Sequence, residues 1–116
     1  MKRLMAIYKQ FDVVVVPFPF TDSQKTKKRP ALVLSDSSAL KVSKTILAMI
    51  TTVAHPPWSL DTVIKDLSST GIEAPSIIRF KLFTLDNELI VKKIGKLSKY
   101  DRTVIIQRTK RVFNLG

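Results

Sequence analysis

Residues 12–17 include four consecutive valines, Val13 to Val16. Valine is stiff at its first side-chain torsion and suits a pleated surface, so this run predicts a buried strand. Pro17 and Pro19 lack a backbone N–H and predict the end of its ladder. Thr21–Lys28 is polar and basic and reads as a loop. Arg29–Ser35 predicts a second strand, with Pro30 near its start, where proline is tolerated. After the polar connection Asp36–Lys44, the apolar, β-branched run Thr45–Val53 predicts a third strand, ended by His55-Pro56-Pro57. Asp61–Ile64 reads as a short strand, Lys65–Gly71 as a turn, and Ser76–Lys81 as a further strand behind Pro75. Phe83-Thr84-Leu85-Asp86 reads as a corner or single helical turn. Ile90–Leu97 predicts a strand interrupted at Gly95, where a bulge or barrel corner fits.

The last predicted element is a helix. Ser98 stands at its cap position and Asp101 three residues later, the spacing of a capping box. Tyr100, Val104, Ile105, Val112 and Phe113 fall mostly on one face at helical spacing, and Asn114 and Gly116 are ordinary stops. The chain therefore reads as mainly β with a C-terminal α-helix. Roughly five to seven short strands with corner residues suggest a strongly bent antiparallel sheet or a partly open barrel.

Composition narrows the function classes. The chain has 116 residues, 45% of them hydrophobic, which fits one domain with its own core, residues 1–116. Residues 1–7 are a candidate flexible N-terminal extension. The absence of cysteine excludes disulfide frameworks, thiolate metal sites and a thiol nucleophile. One His and two Glu make an all-protein zinc site improbable, so no cofactor and no metal are expected. No signal-peptide pattern and no bilayer-spanning apolar run is present, which predicts a cytoplasmic protein without a membrane partner. The excess of 20 Lys plus Arg over 9 Asp plus Glu gives a formal net charge of +11. That charge points to a polyanion or an acidic protein as partner, without separating the two.

Four segments in register carry a family resemblance. Val14-Val15-Val16-Pro17-Phe18-Pro19-Phe20-Thr21-Asp22 with Lys27-Lys28-Arg29-Pro30-Ala31-Leu32-Val33-Leu34-Ser35 resembles the opening of PemK/MazF-type toxins, the toxin halves of type II toxin–antitoxin systems. Ala48-Met49-Ile50-Thr51-Thr52 is similar to the family's third-strand motif, and Pro75–Leu85 followed by Ile90–Ser98 continues the match. The resemblance covers roughly residues 8 to 113. It implies a small SH3-like, partly open barrel of the CcdB/PemK type, usually a homodimer. It also implies a metal-independent endoribonuclease that cuts single-stranded mRNA at short sequences and is blocked by a cognate acidic antitoxin. Phe11 precedes Asp12 where the family often has Gly. The loop Ser23–Lys28 lacks the His or Glu of some members, and Lys81 stands where some carry Asp.

RNA can be cut without a metal by its own 2′-hydroxyl, which attacks the adjacent phosphorus and leaves a 2′,3′-cyclic phosphate. The enzyme must supply alignment, charge stabilisation and proton transfers. Arg29 takes the family's catalytic arginine position; its guanidinium can donate two parallel hydrogen bonds to phosphate oxygens. Thr51 takes the catalytic threonine position, where a hydroxyl can donate to a developing oxyanion. Thr52 lies on the opposite face, so that assignment depends on register. Gln24, Lys25, Lys27, Lys28, Thr52, Arg79 and Lys81 are the candidate RNA-binding residues. Phe18, Phe20 and Trp58 could stack on bases or equally belong to the core or a dimer interface. His55, the one side chain whose ordinary pKa is near neutrality, fits a simple turn as well as a proton-transfer role. Two other readings stay open on sequence: a same-fold poison of DNA gyrase acting by protein binding, and a barrel that binds RNA without cutting it.

Overall fold

The computed structural model describes residues 7–18, 27–36, 43–52 and 56–116. Its elements are β1 (Asp12–Phe18), β2 (Lys27–Val33), β3 (Lys44–Thr52), β4 (Thr62–Val63), β5 (Ser76–Asp86), a single 3₁₀ turn (Asn87–Leu89), β6 (Lys92–Lys96) and α1 (Lys99–Val112). The strands form one six-stranded antiparallel sheet in the order β4-β5-β3-β2-β1-β6. The sheet is curled into a half-barrel, as expected for the small barrel read from the sequence.

Strand alternation divides the apolar side chains between the two faces of the sheet. Val13, Leu32, Ala48, Ile50 and Ile78 form one buried cluster with Phe11, Ile64, Leu97 and Ile105, the last of these from α1. Val14, Val16, Ala31, Val33, Leu47 and Leu85 form a second cluster on the other face, joined by Ile90. The four-valine run of β1 feeds both clusters, which is why it is apolar without interruption.

Several boundaries differ from the sequence reading. Pro17 does not end β1: Pro17 pairs with Lys28 and Phe18 with Lys27, so those two lysines belong to β2 rather than to a loop. Phe83–Asp86 is not a corner but the end of β5, pairing with Lys44–Leu47 of β3; the chain turns only at Asn87. Between Ala48↔Leu82 and Met49↔Arg79 the β3–β5 register shifts, so Phe80 and Lys81 are extra residues on β5. A two-residue insertion keeps the inside–outside phase of the strand and bends it.

The bulge expected near Gly95 is present: β1 and β6 shift register between Val13↔Gly95 and Val14↔Lys93. A Cβ on Gly95 would stand 2.4 Å from the Ser69 carbonyl oxygen, so glycine is needed there because another backbone runs against it. Phe11 adopts φ 73°, a left-handed conformation that glycine takes freely and phenylalanine does not. Its ring is buried in the first cluster, and its backbone N–H donates to Val33 O at 2.7 Å while its carbonyl accepts from Leu97 N at 2.9 Å. The surrounding core and sheet hold the strained residue in place.

The helix begins as the sequence predicts: Ser98 is the cap, and its hydroxyl accepts from Asp101 N at 3.1 Å. Of the apolar stripe read from spacing, Ile105 is buried and Val104 half-buried, whereas Tyr100, Val112 and Phe113 are exposed; the other buried residue of the helix is Asp101. The Asp101 carboxylate accepts the backbone N–H groups of Lys65 at 3.1 Å and Asp66 at 3.0 Å, and the Ser98 hydroxyl at 3.1 Å. Those bonds turn the 101–105 line of the helix toward the sheet. Among the described residues no helix is long and apolar enough to cross a membrane.

Candidate active site

The candidate catalytic residues lie on neighbouring strands. β2 and β3 pair at Ala31↔Met49; two residues further along each chain, in opposite directions, come Arg29 and Thr51. Alternation puts both on the face that carries Ala31 and Met49. The β2–β3 ladder ends at Ala31, so Pro30 and Arg29 pair with β1 alone, opposite Val15 and Val16. Proline costs nothing where β3 no longer needs its N–H. Thr51 is half-buried and pairs with Ile77 of β5; Thr52 is exposed on the opposite face beside Ser76.

Phe18 organises the cations around this pair. The Arg29 guanidinium carbon lies 5.9 Å from the Phe18 ring centroid, and the Lys81 ammonium 5.4 Å from the same centroid. Both are within cation–π range. The β5 bulge supplies Lys81, and the end of β1 supplies the ring. Alternation along β2 places Lys27 on the Arg29 face and Lys28, opposite Pro17, on the other. Among the described residues, none of Lys27, Arg29 and Lys81 is paired with a carboxylate, which leaves their charge for a ligand.

Arg79 is differently placed. Its Nε donates to Asp61 Oδ1 at 3.1 Å and its Nη2 to Asp61 Oδ2 at 2.9 Å, a two-pronged ion pair whose side chains are only 14% and 12% exposed. Nη2 also donates to Pro56 O at 3.4 Å, and the guanidinium lies 5.0 Å from the Trp58 ring centroid. The hydrogen bonds from Arg79 hold the Asp61 carboxyl below its ordinary pKa, against the opposing effect of burial, and the same bond raises Arg79 above its own. A guanidinium bound in this way presents little charge to an incoming phosphate. Asp61 was legible in the sequence only as the first residue of a short strand; nothing in its spacing marks it as the partner of Arg79.

Gln24, Lys25, Phe20 and His55 lie outside the described residues. Among those described, no three His, Asp or Glu side chains come together as metal ligands would.

Residues 9–113 match the family model of the PemK-like, MazF-like toxin of type II toxin–antitoxin systems. Among solved structures, the chain superposes on an endoribonuclease in complex with its cognate antitoxin from Mycobacterial species, with a TM-score of 0.74 and 11% identity over 95% of this chain and 98% of that one. At that identity the likeness is one of fold. Comparison with curated protein sequences gives no match.

Proposed function

This chain belongs to the PemK-like, MazF-like toxins of type II toxin–antitoxin systems, and from that premise we propose that it is an endoribonuclease cutting single-stranded mRNA at short sequences without a metal. The observation that supports this reading is the placement of Arg29 and Thr51 on one face of adjacent strands, beside Lys27 and Lys81, which pair with no carboxylate among the described residues.

In the proposed reaction the substrate's 2′-oxygen forms a bond to the adjacent phosphorus and the 5′-oxygen leaves, giving a 2′,3′-cyclic phosphate and a 5′-hydroxyl. The Arg29 guanidinium grips two phosphate oxygens and stabilises the charge that gathers on them in the phosphorane. Arginine keeps its proton throughout, so its part is electrostatic and orienting. The Thr51 hydroxyl meets no hydrogen-bond partner among the described residues, and it donates to the same oxygens from the next strand. Water carries the remaining protons. Lys27 and Lys81 bind flanking phosphates; such contacts strengthen binding without reading sequence.

An acidic antitoxin fits a chain of net charge +11, and the endoribonuclease that shares this fold is itself held by its cognate antitoxin. A homodimer in the cytoplasm completes the reading. The test is incubation of pure protein with single-stranded RNA in EDTA, followed by sequencing of the ends. Fragments with cyclic-phosphate 3′ ends and 5′-hydroxyls at a recurrent short sequence are expected. RNA bound but left intact assigns a non-catalytic RNA-binding barrel, and RNA left unbound overturns the reading.

A further inference from the structure

Residues 56–61, ahead of β4, are held by a device that the cleavage chemistry does not use. Trp58 N donates to Asp61 Oδ2 at 2.8 Å, and Asp61 N donates back to Trp58 O at 3.2 Å. Leu60 between them adopts φ 69°, left-handed for a branched residue, and its carbonyl accepts the Thr62 hydroxyl at 2.9 Å. The Asp61 carboxylate then receives the Arg79 fork, and Arg79 lies against the Trp58 ring. A mostly buried ion pair and a strained backbone are thus spent on fixing one indole. Trp58 is nonetheless 44% exposed. A tryptophan needed only for packing would be covered, whereas one held rigid and left open is suited to stacking.

Its position relative to the catalytic pair is defined by register. Arg79, under the ring, pairs with Met49, and the next position on the same face of β3 is Thr51. Trp58 therefore stands on the β5 side of Thr51, while Phe18 and Arg29 stand on the β1–β2 side. We propose that Trp58 is a stacking platform for an unpaired nucleobase beside the linkage that is cut, with Arg79 and Asp61 as positioning residues that hold the ring. This rests on the RNA reading above and adds where a base is received. Because Asp61 neutralises Arg79, the platform takes the flat face of a base and not its phosphate. Its contribution to binding is consequently insensitive to salt, unlike that of the lysines.

Trp58 is the single tryptophan of the chain, so its fluorescence reports directly on the platform. The full-length protein is titrated with a single-stranded oligodeoxynucleotide, which lacks the attacking 2′-hydroxyl, and with an abasic strand of equal length. The base-bearing strand is expected to quench the emission saturably, and the abasic strand to leave it unchanged. Trp58→Leu, checked for fold by circular dichroism, is expected to bind about 5- to 100-fold more weakly with the same salt dependence, and Trp58→Phe to keep most of the affinity. Equal quenching by both strands, or wild-type affinity in Trp58→Leu, overturns the assignment. Cleavage of RNA by the wild type, measured alongside, separates the two claims. A protein that cuts RNA while its emission does not respond refutes only the platform. A protein that neither binds nor cuts refutes both.

Discussion

Lys81 and Phe18 touch although three strand intervals separate β5 from β1 in the sheet. In a flat sheet those backbones would lie about 14 Å apart, with side chains standing perpendicular rather than reaching across. The contact therefore records how far the sheet bends, and the two extra residues in β5 are what put Lys81 at the bend. The same curvature gathers residues from β1, β2 and β5 around the end of β3, which carries Thr51. A sheet curled in this way gathers cations from strands that are not neighbours.

Register separates the two threonines of β3. Thr51→Val is expected to slow RNA cleavage on the order of a hundredfold, because a donor to the phosphorane is lost while shape is nearly kept. Thr52→Val, on the other face, is expected to cleave close to the wild-type rate. Single-turnover rates of the two variants check this; equal losses would place the reactive face incorrectly.

The Asp61–Arg79 pair has a defined pH signature. Asp61 titrates below its ordinary value of 3.8 in the folded chain, chiefly through its hydrogen bonds from Arg79. A carboxylate with a depressed folded pKa adds stability that is fully present above the unfolded pKa and is lost as pH falls through the folded one. Trp58 emission is thus expected to be flat from neutrality down to about pH 5 and to change only in stronger acid. Asp61→Asn is expected to abolish that acid transition and to shift the neutral spectrum toward that of a solvated indole. A wild-type transition near neutrality would contradict the assignment.

Asp101 ties the helix to the sheet's far edge. Asp101→Ala removes a buried carboxylate, takes the acceptor from the part-buried N–H groups of Lys65 and Asp66, and removes a partner of Ser98. A loss on the order of 3 kcal/mol is expected in urea unfolding. Ile105→Ala, at the next turn of the same line, is expected to cost about 2–5 kcal/mol through the cavity it leaves.

Gly95→Ala tests the close approach of two backbones. The added Cβ would meet Ser69 and Thr70 main-chain atoms at 2.4–2.5 Å, so the strand or the turn must move. Destabilisation of about 1–3 kcal/mol is expected from thermal unfolding, with the same sign as other overpacking changes.

These residues also explain what the sequence could and could not disclose. The valine run, the Ser98 cap and the Gly95 bulge each follow from one local physical demand, and each lies where its residues imply. On the helix, apolar spacing marks Ile105 but not the rest of the buried line, because that line is anchored by a carboxylate, Asp101, and apolar spacing does not register buried acids. The end of β5 was misread because Phe83-Thr84-Leu85-Asp86 runs straight into a turn that begins one residue later. Arg29 and Thr51 stand in family motifs, and their shared face follows from register. The clamp on Trp58 was not legible at all: Asp61 and Arg79 stand 18 positions apart, and only the fold brings them together.

The most direct measurement is the single-turnover rate of RNA cleavage in EDTA for the wild type, Arg29→Ala and Arg29→Lys, with thermal midpoints recorded for each. The account predicts a loss of roughly 10²- to 10³-fold in Arg29→Ala, only partial recovery in Arg29→Lys, and midpoints within about 4 °C of the wild type. Cleavage by Arg29→Ala at the wild-type rate would contradict it.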